Sequence, residues 1–404
     1  MSNSKPPSWW SSADLQYDTG RLRFGDRFLD ELASQGTPLY ILRPQRAIDN
    51  LLTLRNYAPD FLIYYAIKAN RNPVLIEALR KSGVDGIDVC SPREAQLALK
   101  SGFRPEQISY TGTSVSKSDL LFLARERGIH VNADSLAGLR RLLEAGRSGV
   151  APRAKVGVRI NLELGLGYRQ ESRLVYSGPN AMSKFGILPE QIPAALELAR
   201  QNDVAITTLH WHVGCGWLGE QQEQVAEVVR RGVDLAEQFP DLERINLGGG
   251  LGVPLAQEDS PVDLAAWSDQ IRHAVAGRWQ VMLEPGAFLT QNTTILIVEV
   301  CTVENKRGQW FVGINSGFNL LVEPVFYGMP AEIVPLREPG PDASRVLCRF
   351  AGNINEGHDM LPLGTPLPLP EEGDYIALLN AGAYGTSMAS DHCLRGQAGE
   401  VVVD

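Results

Sequence analysis

An eight-stranded α/β barrel followed by an all-β domain is the fold class that the sequence predicts, and three observations predict it. Short β-rich runs alternate with amphipathic stretches from about residue 60 to residue 286. Eight such runs are present, the number that closes a (β/α)8 TIM barrel. Past Gly286 the β-rich runs continue without helices between them and are broken by Pro- and Gly-rich turns, which is the texture of a β domain.

The barrel runs are, in order, "FLIYYAIK", "GIDVCS", "ISYTG", "HVNADS", "KVGVRI", "TTLHWHVG", "RINLGGG" and "VMLEPG". Between them, stretches such as "NPVLIEALRKSG" repeat apolar residues at helical spacing and stop at a glycine. Strand and helix alternating in this way imply parallel βαβ units. The later runs are "TTILIVEVCTVE", "GQWFVGIN", "AEIVPL", "RVLCRFAGN", "DYIALLNAG" and "GEVVVD", with "LPLGTPLPLPEEGD" (361–374) as a proline-rich loop among them. Near residue 40, "TPLYIL" is a strand that could add to either part. The expected division is an N-terminal segment 1–40 contributing to the β domain, a barrel over 41–288 and a C-terminal β domain over 289–404.

A chain of 404 residues is long enough for a barrel with an appended domain. Its 44% hydrophobic and 21% charged residues are ordinary for a soluble globular protein. The net charge of −9 argues against a nucleic-acid-binding surface. The opening "MSNSKPPSWWSSADLQYD" lacks the apolar core of a signal peptide, and no run of about 18 uncharged apolar residues follows, so no membrane association and a cytoplasmic location are expected. The cysteines Cys90, Cys215, Cys301, Cys348 and Cys393 are scattered without a CxxC pair, so neither structural disulfides nor a zinc site is expected.

In a TIM barrel the active site lies at the C-terminal ends of the strands. Those ends carry Lys68, Asp88, Arg159, His210, His212, the glycines Gly248, Gly249 and Gly250, and Glu284. The run from Phe61 to Lys68 has no other charge, and a buried ammonium is costly unless it is paired or neutralised. Alone, Lys68 could equally snorkel to water. "HWH" places two histidines on one strand face, but a zinc site needs a third ligand and none is evident nearby. The glycine triplet reads either as a flexible turn or as a phosphate cradle, where missing Cβ atoms let backbone N–H groups approach an anion. Glu284 could cap the next helix. Taken together these residues fit one ligand, pyridoxal 5'-phosphate (PLP), which needs a Schiff-base lysine, a phosphate loop, a ring-stacking imidazole and a carboxylate at the pyridine nitrogen.

With the motifs "YYAIKAN", "GIDVCSPREA", "SKFGI", "HWHVG", "NLGGGLG", "EPG" and "NAGAYGTSM" in this order, the chain resembles the PLP-dependent decarboxylases of the alanine-racemase-fold group (fold type III). Within that group, which holds the diaminopimelate, ornithine and arginine decarboxylases, it is most similar to diaminopimelate decarboxylase. The resemblance implies decarboxylation of an amino acid, with Lys68 as the Schiff-base lysine and Asp88 and Arg159 at the barrel mouth, Arg159 toward the substrate. It implies His212 stacked on the cofactor ring, Gly248 to Gly250 on the phosphate, Glu284 at the pyridine nitrogen and Tyr384 reaching the phosphate from the β domain. It also implies a homodimer in which the second subunit completes each site.

The departures from the family pattern are as informative. The family carries a segment like "GPxCESxD"; here it reads "GNINEGHD" (352–359), so Asn355 takes the cysteine position while Glu356 and Asp359 match, which implies Glu356 among the catalytic residues and Asp359 at the substrate. That cysteine is the acid that reprotonates the substrate carbon in the family, and an amide cannot replace it, having no pKa in range. His358, Lys68 or water is then expected to supply the proton. Glu323 stands where diaminopimelate decarboxylases place an arginine on a substrate carboxylate, so it reads either as a charge reversal toward the substrate or as a solvated loop residue. Ala287 replaces an arginine of the ornithine branch, and Cys215 replaces a phosphate-binding serine. "GLGYRQESRLVYSGPNAMSKFGI" (165–187), with Arg169 and Arg173, is a variable loop or a contact for a larger substrate, whether conjugated as in siderophore intermediates or carrier-bound. The rival readings are an amino-acid racemase on the same barrel and a non-catalytic regulatory homologue.

Overall fold

The computed structural model describes residues 8–147, 154–176, 183–364 and 366–404. They divide into two compact units, one formed by residues 48–252 and 260–289 and the other by 1–47, 253–259 and 290–404. The short stretch 253–259, inside the span expected for the barrel, groups with the second unit.

The first unit is the barrel. Its strands are β1 (Leu62–Ala66), β2 (Gly86–Val89), β3 (Ile108–Gly112), β4 (His130–Ala133), β5 (Lys155–Arg159), β6 (Ala205–His210), β7 (Arg244–Asn246) and β8 (Gln280–Leu283). Each runs parallel to the next, and β8 closes the ring on β1 through Met282 opposite Leu62. Strands in such a ring are covered on both faces, which is why β1 and β2 read as near-continuous apolar runs rather than alternating ones. Helices α1 (Pro73–Lys81), α2 (Pro92–Lys100), α3 (Lys117–Arg125) and α4 (Leu136–Arg147) follow the first four strands. Asn72 and Ser91 accept backbone N–H groups at the starts of α1 and α2, each with a proline in the first turn, and so satisfy donors the helix leaves open.

The second unit is a sheet built around the 13-residue strand Thr294–Lys306. Its antiparallel neighbours are Leu39–Leu42, Tyr375–Leu378 and Gln309–Ile314. Gly399–Val402 adds in parallel to the outside of Leu39–Leu42, so the "TPLYIL" strand joins the sheet. Alternation along the central strand splits the unit's core in two. Ile295 and Ile297 face a cluster with Leu22, Phe24, Leu29 and Ile41, while Leu296, Val298 and Val300 face another with Tyr40, Val312 and Phe350. Burying an aliphatic side chain stabilises by about 1.5–3 kcal/mol, so each face contributes many times the net stability of a domain before chain entropy is subtracted.

Candidate active site

Barrel closure places the strand exits in one ring, and the charged residues gather there. β1 ends at Ala66, so Lys68 stands in the turn beyond it rather than within the strand. Its Nζ donates to Asp88 Oδ2, 3.3 Å away at the end of β2. The lysine side chain keeps 40% of its surface accessible, whereas that of Asp88 keeps 2%. The other oxygen of Asp88 is buried without a hydrogen-bond partner among the described residues.

Glu284, just past β8, is the best-held charge of the site. Asn246 Nδ2 donates to its Oε1 at 2.6 Å and Ser109 Oγ at 3.4 Å. His210 Nε2 lies 3.2 Å from its Oε2, although neither His210 nitrogen makes an aligned hydrogen bond. Burial opposes ionisation of Glu284, but the His210 ring, the Lys68 charge and the Asn246 amide outweigh it and lower its pKa. For Asp88 the balance is reversed: burial and then the Glu284 charge raise its pKa against the pull of Lys68. Burial would lower the Lys68 amine, yet Asp88 first and Glu284 second outweigh it, so the ammonium is favoured. Two carboxylates thus share one ammonium. Glu284 keeps its charge, and Asp88 is the member whose ionisation burial disfavours.

The two histidines do different work. His210 closes β6 and is buried; His212 lies beyond the strand end, which corrects the expectation that both sit on one strand face. His212 Nδ1 accepts the Gly249 N–H at 3.2 Å, so a neutral ring carries its proton on Nε2. Burial, then the Lys68 and Arg159 charges, hold its pKa well below the usual histidine value. The glycine segment is fixed by contact with this loop. A Cβ on Gly249 would come 2.4 Å from the backbone oxygen of Glu284, and Gly248 adopts φ +68. Asn246 Oδ1 accepts the Gly248 N–H at 2.9 Å, so one side chain ties the glycine segment to the acid. Cys215 is buried in the loop that follows, its backbone N–H donating to Leu174 O.

Arg159 ends β5 buried against Asp134 at 3.1 Å, with the Phe185 ring 4.2 Å from its guanidinium. Asp134 also accepts from Thr113 at 2.6 Å. The arginine expected to face substrate is therefore braced from behind, and its charge acts on Lys68 and His212.

The remaining candidates belong to the sheet unit. Tyr384 starts the short helix Gly385–Met388 at φ +58. Asn355, Glu356 and His358 are exposed; the His358 ring stacks on Phe318 at 5.3 Å, and His392 lies 3.6 Å from Glu356. Asp359, expected at the substrate, is buried and spends Oδ1 on the Phe318 N–H and Oδ2 on the Ile354 N–H, so it shapes the 352–359 loop instead. Glu323 is no solvated loop residue: it is buried in the helix Val322–Tyr327 and accepts from Gln291 at 2.9 Å, and burial raises its pKa to about 7. Of the loop expected around 165–187, Arg173 pairs with Glu171 at 3.0 Å and Arg169 lies over Tyr168, while 177–182 fall outside the described residues.

Asn246, Ser109, Asn132 and Asp134 carry the site's supporting contacts and were not singled out from the sequence. Asn246 in "RINLGGG" and Asp134 in "HVNADS" obey the same strand-exit rule that found Lys68 and Glu284.

Residues 45–291 match the family described as the pyridoxal-dependent decarboxylase, pyridoxal binding domain. The chain belongs to the pyridoxal-dependent decarboxylases. The diaminopimelate decarboxylase of Methanothermobacter thermautotrophicus is 32% identical over 96% of this chain and 91% of that protein. A crystal structure of diaminopimelate decarboxylase superposes with a TM-score of 0.84 at 27% identity, covering 98% of this chain and 94% of that one. The crystal structure of AQ1208 from Aquifex aeolicus gives a TM-score of 0.84 at 29% identity over 96% and 92%. This decarboxylase acts on an amino acid and uses pyridoxal 5'-phosphate. Its residues fit that group: an amine paired to a buried acid, an orphaned buried Asp88 oxygen, a clamped neutral imidazole and an ionised carboxylate at the exit of the neighbouring strand β8.

Proposed function

We propose that the enzyme removes the α-carboxyl group of an extended amino acid of the diaminopimelate type. The ionised Glu284, held by Asn246 and His210 at the exit of β8, the strand paired with the one that leads to Lys68, carries the reading. When bound, PLP supplies an electron sink for the pair left as CO₂ departs. With it bound, Lys68 would supply the amine that ties the cofactor to the barrel, Glu284 would keep its ring nitrogen protonated and His212 would hold its ring. A proton must replace the lost CO₂. Asn355 cannot give it, so we assign it to Lys68, replenished through Asp88, with His358 as the rival donor.

A conjugated or carrier-bound substrate is the second reading, favoured by Glu323: an acid holds the position where a cation would meet a free distal carboxylate, and it is turned into the protein against Gln291. We further propose a homodimer in the cytoplasm. Among the described residues, no helix is long and apolar enough to cross a membrane.

The test is CO₂ release from meso-diaminopimelate, acylated diamino acids and aminoacyl carrier proteins. Release is expected from at least one, with loss of about a thousandfold or more in Lys68→Ala. Racemisation without CO₂, or silence on all three, would overturn the reading. Turnover in D₂O separates the proton donors: one stereoisomer, unaffected by His358→Ala, is expected for Lys68.

A further inference from the structure

Inside the barrel a line of polar side chains leads from Glu284 to the start of β4. Ser109 and Thr111 of β3 stand opposite His130 and Asn132 of β4 in the strand register. Side chains alternate along a strand, so the four share one face. Ser109 Oγ donates to Glu284 Oε1 at 3.4 Å and accepts from Asn132 Nδ2 at 3.2 Å. The same Nδ2 donates to Thr111 Oγ1 at 2.9 Å. On the other side of the amide, Asn132 Oδ1 lies 3.2 Å from His130 Nε2. Ser109 and Asn132 are buried, whereas His130, the first residue of β4, is half-buried at the end of its strand away from the barrel mouth. β5 leaves room for this chain. Gly157 pairs with Asn132, and a Cβ there would come 2.0 Å from Asn132 Oδ1 and 3.0 Å from His130 Nε2. A glycine inside a strand marks such a close approach.

The anion sets the direction of every link. Glu284 is ionised, and a carboxylate in that form only accepts, so the single hydroxyl hydrogen of Ser109 is committed to it. Ser109 must then accept from Asn132, which turns the NH₂ of the amide toward Ser109 and Thr111. The amide oxygen therefore faces His130. It has no hydrogen to give, so His130 Nε2 must carry one. Three donors in series point toward Glu284, and bonds aligned in this way polarise one another in a low-dielectric interior. The titratable groups that otherwise act on Glu284 are His210 on β6, His212 beyond it, Lys68 after β1, Tyr64 on β1 and Asp88 on β2, all left intact in the variants below.

We propose that this chain, with His130 as its remote positioning residue, holds and aims the Glu284 carboxylate. The proposal deepens the decarboxylase reading, on which the role of Glu284 rests.

The experiment uses the full PLP-loaded enzyme and three uncharged replacements. Asn132→Leu and His130→Phe each cut the chain, while the amide of His130→Gln can still donate to Asn132. With the substrate that releases CO₂, the acid limb of kcat/KM is expected to move up by roughly 0.3 to 0.5 unit in Asn132→Leu and His130→Phe, and to return to the parent position in His130→Gln. A purely space-filling role would lower kcat or thermal stability without moving the limb. An unmoved limb in His130→Phe, or the same limb in His130→Phe and His130→Gln, would overturn the proposal. A second measurement needs no turnover and does not depend on Asn132→Leu folding. In isotope-labelled enzyme the NMR resonance of the His130 Nε2–H is expected to shift on Glu284→Gln, and to stay in place when the same change is made in a Ser109→Ala background. No shift in the first case, or an equal shift in both, would overturn the proposal. If no substrate releases CO₂, the decarboxylase reading fails, and this resonance alone still decides whether Glu284 and His130 are linked through Ser109.

Discussion

Asn246 works through both ends of its amide, donating to Glu284 and accepting from Gly248. A hydrogen bond to a charged acceptor contributes about 1.5–3 kcal/mol, or about one to two pKa units. Asn246→Ala should therefore let the Glu284 pKa rise. Because that carboxylate must be ionised, the acid limb of kcat/KM should move to higher pH by about one to two units at saturating cofactor. An unmoved limb would mean that His210 and Lys68 suffice to hold the charge. The stability linkage has the same sign: the lowered pKa of Glu284 stabilises the fold above the ordinary value near 4.5, and this is lost as pH falls through the folded value near 2. At this scale the sequence showed Lys68, Asp88, His212 and Glu284, because a titratable group at the end of an apolar strand is conspicuous. Asn246 is uncharged and therefore quiet. Glu323 stayed open between a substrate contact and a solvated loop residue, since a charge beside a proline carries no sign of burial.

Within the helix Val322–Tyr327 the cost of that buried acid can be measured. Glu323 has its pKa raised to about 7 from 4.5 by burial, with Gln291 pulling weakly the other way. Its stabilising contribution is complete below the unfolded value, about 4.5, and is lost as pH rises through about 7. Above that the ionised form costs about 3 kcal/mol. Glu323→Gln, which can still accept from Gln291, should flatten the fall in thermal midpoint between pH 5 and 8 and melt higher than the parent at pH 8. A parallel pair of curves would show that this helix opens to hydrate the charge. Element boundaries were legible to within a few residues: six of the eight barrel strands lie inside the predicted runs, while β6 and β8 begin at Ala205 and Gln280, just ahead of theirs. The misplacements fall at strand exits, where Lys68 and His212 continue the apolar or aromatic texture of β1 and β6 after the hydrogen-bond ladder has ended.

For the molecule as a whole, the barrel-plus-sheet architecture followed from periodicity, because covered parallel strands and alternating sheet strands leave different apolar patterns. Periodicity could not show that residues 253–259 group with the sheet, since a short connection carries no period. The proposed homodimer should sediment at twice the mass of the 44.2 kDa chain at micromolar concentration, and a monomer there would end that proposal. One feature of the sheet bears on how the protein is made. Leu39–Leu42 lies between Thr294–Lys306 and Gly399–Val402, so a strand early in this sequence is flanked by partners synthesised much later. On the ribosome the barrel can close while this early strand still waits with both edges open. A nascent chain stalled before residue 399 would expose one of those edges to chaperones or to other copies of itself.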